Sequence, residues 1–112
     1  MVEYTLKLNL VFGSLSDPTR RDILSRLIER DLSVSEIALP YKMTFAAISK
    51  HLIVMERAGL VKKRRRGNEQ IVQLAPKTFA SVDEYLDQYR QILERKLNAM
   101  QRLLEEEQRK TN

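Results

Sequence analysis

TFAAISKHLIVMERAGLVKKRRRGNEQIVQL, residues 44–74, is the stretch whose reading decides the fold. Thr44 carries a hydroxyl that can accept a hydrogen bond from the free N–H groups at the start of a helix. Ile48, Leu52 and Met55 recur at i, i+4 and i+7, so one face of that helix is apolar. Gly59 stands where the helix needs a left-handed terminator, and Leu60 can fold back over the last turn. Phe45, Ala46, Ser49, Lys50 and His51 lie away from the apolar stripe. Beyond the glycine the pattern changes. Leu60–Arg66 and Glu69–Leu74 flank Gly67-Asn68, a two-residue turn signal, and read as a hairpin. Lys62, Lys63, Arg64, Arg65 and Arg66 load its first strand with five consecutive cations.

Upstream, Leu8, Val11, Phe12 and Leu15 recur at helical spacing in a short amphipathic helix over about residues 4–15. A second helix opens at Asp17-Pro18 and ends near Arg30. Asp17 can cap it, and Pro18 suits the first helical position, where a missing N–H costs nothing. Its apolar stripe is Ile23, Leu24, Leu27 and Ile28. A third opens at Ser33, with Glu36 in capping-box spacing, and Pro40 stops it. Ile37, Ala38 and Leu39 are its expected buried side.

Downstream, Pro76 breaks the chain, and residues 78–109 contain neither Gly nor Pro. Phe79, Val82, Leu86, Tyr89, Leu93, Leu97, Met100 and Leu104 follow at steps of three and four, close to a heptad seam. A helix of about 30 residues is ~45 Å long, more than one small domain can cover. The spacing therefore predicts a partner chain, and self-association explains it better than core packing. Asp83 and Asp87 form an i, i+4 carboxylate pair that could hold a hard cation only weakly; a solvated face is the better reading.

The length of 112 residues fits a single domain, residues 1–112, mainly α with one β-hairpin. There is no apolar run long enough to span a bilayer and no signal-peptide pattern at the N-terminus. The chain has no cysteine, which excludes disulfides and thiolate metal sites and suits the cytoplasm. With one histidine and three glycines, it offers no catalytic, phosphate-loop or zinc motif. No enzyme, cofactor or metal is expected.

Charge is unevenly placed. Residues 41–77 hold 9 basic and 2 acidic side chains, net +7, while residues 1–40 and 78–112 each come to −1. Two helices joined by a short turn, followed by a basic hairpin, suit double-stranded DNA. The major groove admits one helix, and Ser49, Lys50 and His51, with Thr44, Phe45 and Ala46 nearby, are the expected groove contacts. Small side chains such as Ala46, Ala47 and Ser49 let its backbone approach the base edges. The hairpin cations can neutralise phosphate. Ordinary readings exist for each feature: an amphipathic helix with an inert polar face, or a charged edge strand that resists aggregation. Five adjacent like charges favour a polyanion. For His51, a structural role with a backbone partner is slightly favoured over phosphate contact. The alternative function is a protein-interaction module using the C-terminal helix, with DNA binding weak or lost; it leaves the +7 segment unexplained. Structured RNA is a further rival, and a membrane surface is weaker still because the cations lie on a hairpin.

Three motifs, Leu15-Ser16-Asp17-Pro18-Thr19-Arg20-Arg21, Ile48-Ser49-Lys50-His51-Leu52 and Glu56-Arg57-Ala58-Gly59-Leu60-Val61, resemble the ArsR/SmtB family of repressors. The resemblance spans nearly the whole chain. It implies a winged helix-turn-helix: helix-turn-helix about 33–57, wing about 60–74 and dimerisation helix about 78–109. It also implies a homodimer joined through the first and last helices, which assigns Leu8, Val11 and Phe12 to the interface beside the seam from Phe79 to Leu104. A near-palindromic operator and repression by blocking polymerase follow as expectations. Where metal-sensing relatives carry a Cys-Val-Cys segment, this chain reads Leu32-Ser33-Val34-Ser35-Glu36, and its last helix has no histidine. It resembles a metal-independent branch with a Tyr-Leu-x-x-Tyr-Arg stretch, here Tyr85-Leu86-Asp87-Gln88-Tyr89-Arg90. No polar cluster identifies a small-molecule effector.

Overall fold

A computed structural model describes residues 2–111, with side chains from residue 7 onward. The order is α1 (Val2–Leu15), α2 (Pro18–Glu29), β1 (Leu32–Ser33), α3 (Val34–Ala38), α4 (Phe45–Arg57), β2 (Val61–Arg66), β3 (Glu69–Leu74) and α5 (Pro76–Thr111). The chain divides into two compact units, Met1–Phe79 and Ala80–Asn112.

In the first unit, local chemistry sets the element ends. Asp17 caps α2 by accepting from the Arg20 N–H at 3.0 Å, and Pro18 is the first helical residue. Ser33 and Glu36 form a reciprocal capping box on α3, each side chain accepting from the other's backbone N–H at 3.1 and 3.0 Å. Thr44 Oγ1 accepts from the Ala47 N–H at 3.1 Å and caps α4. At the far end of α4, Gly59 takes φ +75°. Its N–H reaches the Glu56 carbonyl at 2.9 Å, and the Leu60 N–H reaches that of Met55 at 3.0 Å. This pair of bonds is a Schellman motif, and it folds Leu60 into the core.

Ile23, Leu24, Leu27, Ile37, Ile48, Leu52, Met55, Leu60, Val61 and Val72 are buried together with Val11. The three-stranded antiparallel sheet runs β1-β3-β2, with Arg66 paired to Glu69 across the tight turn. Gly67 has φ +62° and Asn68 does not share the positive sign, the signature of a type II′ turn. Adjacent Ile71 and Val72 of the central strand β3 point to opposite faces of the sheet, and both are buried, so each face is covered at this point.

Several expectations need correction. Leu39 is 82% exposed, because α3 ends at Ala38 and Val34 takes the inward position instead. Ile28 is exposed, on the solvent side of the α2 stripe. Pro76 opens α5 rather than separating it from the hairpin, because the first helical position needs no N–H. Val11 is only 1% exposed and therefore has no surface to offer a partner chain. Leu8 is half-buried and Phe12 exposed, with Leu10 also exposed beside them.

In the second unit, residues 80–111 are helical and none is buried. Leu86, Tyr89, Leu93, Leu97, Met100 and Leu104 are all exposed, and Ile92 and Leu103 widen the same apolar face. Val82, like Phe79 at the end of the first unit, is half-buried. Asp83 and Asp87 do not stand open for a cation: Arg90 bonds to them at 2.9 and 3.1 Å. Among the described residues, no helix is long and apolar enough to cross a membrane.

Candidate nucleic-acid interface

The short α3 is held from behind by α2. Arg26 donates both guanidinium arms, at 2.8 Å each, to the carbonyls of Glu36 and Ile37, which the C-terminus of α3 would otherwise leave open. The same guanidinium lies 5.7 Å from the centre of the Tyr41 ring. The Tyr41 hydroxyl donates to Asp22. Partial burial, with the adjacent Asp22 carboxylate, pushes the Tyr41 phenol above its ordinary pKa. The turn between α3 and α4 is therefore tied to α2 at its α3 end and at Tyr41.

The α2 entrance explains the Asp17–Arg21 motif in physical terms. Arg20 Nε donates to the Ser14 carbonyl at 2.7 Å, and Arg21 donates to the Leu15 carbonyl at 2.8 Å, closing the end of α1. A second Arg20 nitrogen reaches His51 Nδ1 on α4 at 3.1 Å. Asp17 Oδ2 stands 3.8 Å from the same ring nitrogen. The backbone bond from Arg20 is the main reason that the Asp17 carboxyl sits below its usual pKa, with the neighbouring His51 and Arg20 adding to it against the opposing cost of burial. For His51 the sequence allows a surface or a partly buried position with a backbone partner. It is partly buried, its side chain 19% exposed, and its partner is the Arg20 side chain rather than a backbone group. This tie sets how α4 sits against α2.

The surface of α4 runs along its length, with Ile53, Val54, Glu56 and Arg57 exposed in its second half. Thr44, Phe45, Ala46 and Lys50 are exposed, and Ala47 and Ser49 are half-buried. Thr44 is already engaged as the cap, so its oxygen serves the helix end. Phe45 borders a shallow cleft of about 160 Å³ together with Ser33, Val34, Ser35, Asn68, Glu69 and Gln70. The hairpin tip and the first turn of α4 thus flank one surface. Sequence reasoning missed this juxtaposition because it depends on β1 pairing with β3, Leu32 opposite Val72 and Ser33 opposite Ile71. A two-residue strand leaves no periodic signal.

The five hairpin cations are not equivalent. Lys63 is largely covered and lies 3.8 Å from Glu56 of α4. Arg64 lies 3.6 Å from Asp31. Lys62, Arg65 and Arg66 are exposed, and among the described residues they make no salt bridge. Sequence spacing could not separate these groups, because Glu56 and Asp31 come from other elements.

Ser33 and Ser35 stand where metal-sensing relatives would carry thiols. Ser33 is buried, with its hydroxyl in the capping box. Glu36 is held below its ordinary pKa, first by the Ser33 N–H and further by the Ser33 hydroxyl and Arg30, against some cost of burial.

Comparison with known proteins agrees with this geometry. The family described as "Bacterial regulatory protein, arsR family" matches residues 17–63, which run from the α2 cap into the first strand of the hairpin. The HTH-type transcriptional regulator Rv2034 of Mycobacterium tuberculosis is 37% identical over 76 residues, covering 68% of this chain and 71% of that protein. The transcriptional repressor SdpR of Bacillus subtilis is 37% identical over 60 residues, covering 54% of this chain and 67% of SdpR. The solution structure of the homodimeric winged helix-turn-helix DNA-binding domain of Mb0332 from Mycobacterium bovis superposes with a TM-score of 0.63 at 26% identity, covering 79% of this chain and 85% of that domain. The chain belongs to the arsR family of bacterial regulatory proteins and is a winged helix-turn-helix transcriptional regulator.

Proposed function

We infer that the protein acts in the cytoplasm as a homodimeric repressor that places two copies of α4 in successive major grooves of a near-palindromic DNA operator. The observation that carries this reading is the pairing of exposed Phe45, Ala46 and Lys50 and half-buried Ser49 on α4 with the unpaired hairpin cations Lys62, Arg65 and Arg66 in the same unit. Helix side chains would meet base edges, and the wing would meet phosphate. Half-site centres one turn of DNA apart would be separated by ~34 Å. The whole chain works as one device on this reading: the winged unit reads, and the apolar face of α5 joins two readers. The dimeric state of the Mb0332 domain and the repressor role of SdpR support the assignment.

Two of the expected DNA contacts, one on α4 and one on the hairpin, have other roles. His51 positions α4 through Arg20, and Lys63 braces the hairpin against Glu56. Arg64 has Asp31 as its resting partner, and phosphate would compete for it. Ser33 has its hydroxyl committed to the α3 cap, which supports placing the chain in the metal-independent branch.

Fluorescence anisotropy over a salt series tests the reading, using a random duplex and the duplex upstream of the chain's own coding region. Tight binding to the upstream duplex, two chains per site and a steep salt slope would support it. Absence of binding to either duplex at low salt would overturn it and turn attention to α5 as the functional surface.

A further inference from the structure

We propose that Phe45 reads the operator through the 5-methyl group of thymine, so that each half-site is recognised at this position by an apolar contact rather than by a hydrogen bond. This rests on the DNA-binding reading above.

Phe45 is the first residue of α4, and it is 64% exposed. A large aromatic ring left in water is costly, and here no core position requires it. The N-terminal residues of a recognition helix are those that meet base edges. On α4 itself the hydrogen-bonding capacity beside Phe45 is small: Thr44 is engaged as the cap, Ala46 has no polar side chain and Ser49 is half-buried. Lys50 lies more than one turn further on. A surface of this composition cannot identify guanine or adenine by a bidentate bond at its leading edge. The one apolar group that the major groove displays is the thymine methyl, and Phe and Ala side chains are suited to it. The wing tip lies beside Phe45: Asn68, Glu69 and Gln70 line the same cleft.

Exchange of thymine for uracil removes this methyl and preserves base pairing. The test begins with selection of a random 30-base-pair duplex library on the full-length protein. The selected pool is then copied once with thymine and once with uracil, and the affinities are compared. Burial of one methyl contributes a factor of about four, so two half-sites give about 15-fold weaker binding of the uracil pool. Phe45→Ala, whose exposed position leaves the fold intact by circular dichroism, should bind both pools equally. A wild-type protein that binds both pools alike, still with a steep salt slope, would overturn the inference and leave DNA binding standing. An equal loss in wild type and Phe45→Ala would overturn it too, because another group would then read the methyl. Failure to enrich any pool would overturn both the inference and the function on which it rests.

Discussion

Helices α4 and α5 carry the same kind of apolar stripe and meet opposite fates. In α4, Ile48, Leu52 and Met55 are 0%, 1% and 0% exposed; in α5, Leu93, Leu97 and Met100 are 57%, 53% and 59% exposed. The chemistry of the two stripes is alike, so periodicity does not account for the difference. The winged unit supplies a cover for α4 from α1, α2, α3 and the hairpin. The unit made of residues 80–111 has a single helix and no second layer. An apolar stripe shows that a cover is needed. Only tertiary structure shows whether the same chain provides it.

The sharpest way to break this comparison is to weaken each stripe and ask which equilibrium moves. Leu93→Ala should raise the dimer dissociation constant about 1,000-fold, since ~2 kcal/mol of burial is lost from each of two chains. Sedimentation equilibrium measures this, and an unchanged constant would show that a second copy does not cover α5. Leu52→Ala should act on folding of the winged unit instead, costing about 3 kcal/mol in urea denaturation because the surrounding core cannot close the cavity. A cost below about 1 kcal/mol would mean that the α4 stripe is packed no better than that of α5.

The C-terminal end of α4 sharpens the contrast. Gly59→Ala should cost about 2 kcal/mol, because an alanine is forced into the left-handed region and its Cβ would stand 2.7 Å from Thr78 Oγ1. Adding Thr78→Ala should recover the steric part and leave the backbone strain. Thermal melts of the single and double variants separate the two. Full recovery would show that the φ of +75° carries no strain.

What could be read from residues alone follows this division between local and distant causes. The caps at Asp17, Ser33 and Thr44, the terminator at Gly59 and the Gly67-Asn68 turn depend on groups within five residues of each other, and all were legible. The strand β1 was not, because its existence depends on pairing with residues 71 and 72. His51 finds its partner 31 positions away on Arg20, so its spacing on α4 allows a partly buried place but cannot name that partner. Val11 and Leu39 show the limit of helical spacing. It finds an apolar face, but the neighbouring elements decide which residue of that face points to the centre. In the hairpin, the run of five cations was plain, but its division into braced and open members depends on Glu56 and Asp31.

Smaller effects probe how completely the winged unit satisfies its own polar groups. Asp17→Ala should cost about 1.5 kcal/mol at neutral pH, near the upper part of the range for a helix cap. The Asp17 carboxyl is depressed in the folded chain, so its contribution is fully present above the unfolded aspartate value of about 4 and is lost as pH falls through the lower folded value. Wild type and variant should therefore converge in stability towards pH 2. A gap that persisted in acid would mean that the cap acts through packing rather than charge.

Ser14 gives the smallest effect and the opposite sign. It is 1% exposed, and its hydroxyl has no hydrogen-bond partner among the described residues. Its carbonyl is well used, accepting from Arg20 Nε, and alanine keeps that bond. Ser14→Ala removes a buried hydroxyl that gains nothing and suits the helix slightly better, so stability should rise by up to about 1 kcal/mol. Urea denaturation of the winged unit's transition reads this directly. A loss instead of a gain would mean that the hydroxyl is bonded in solution, for example to an ordered water, and that this part of the core is wetter than its burial implies.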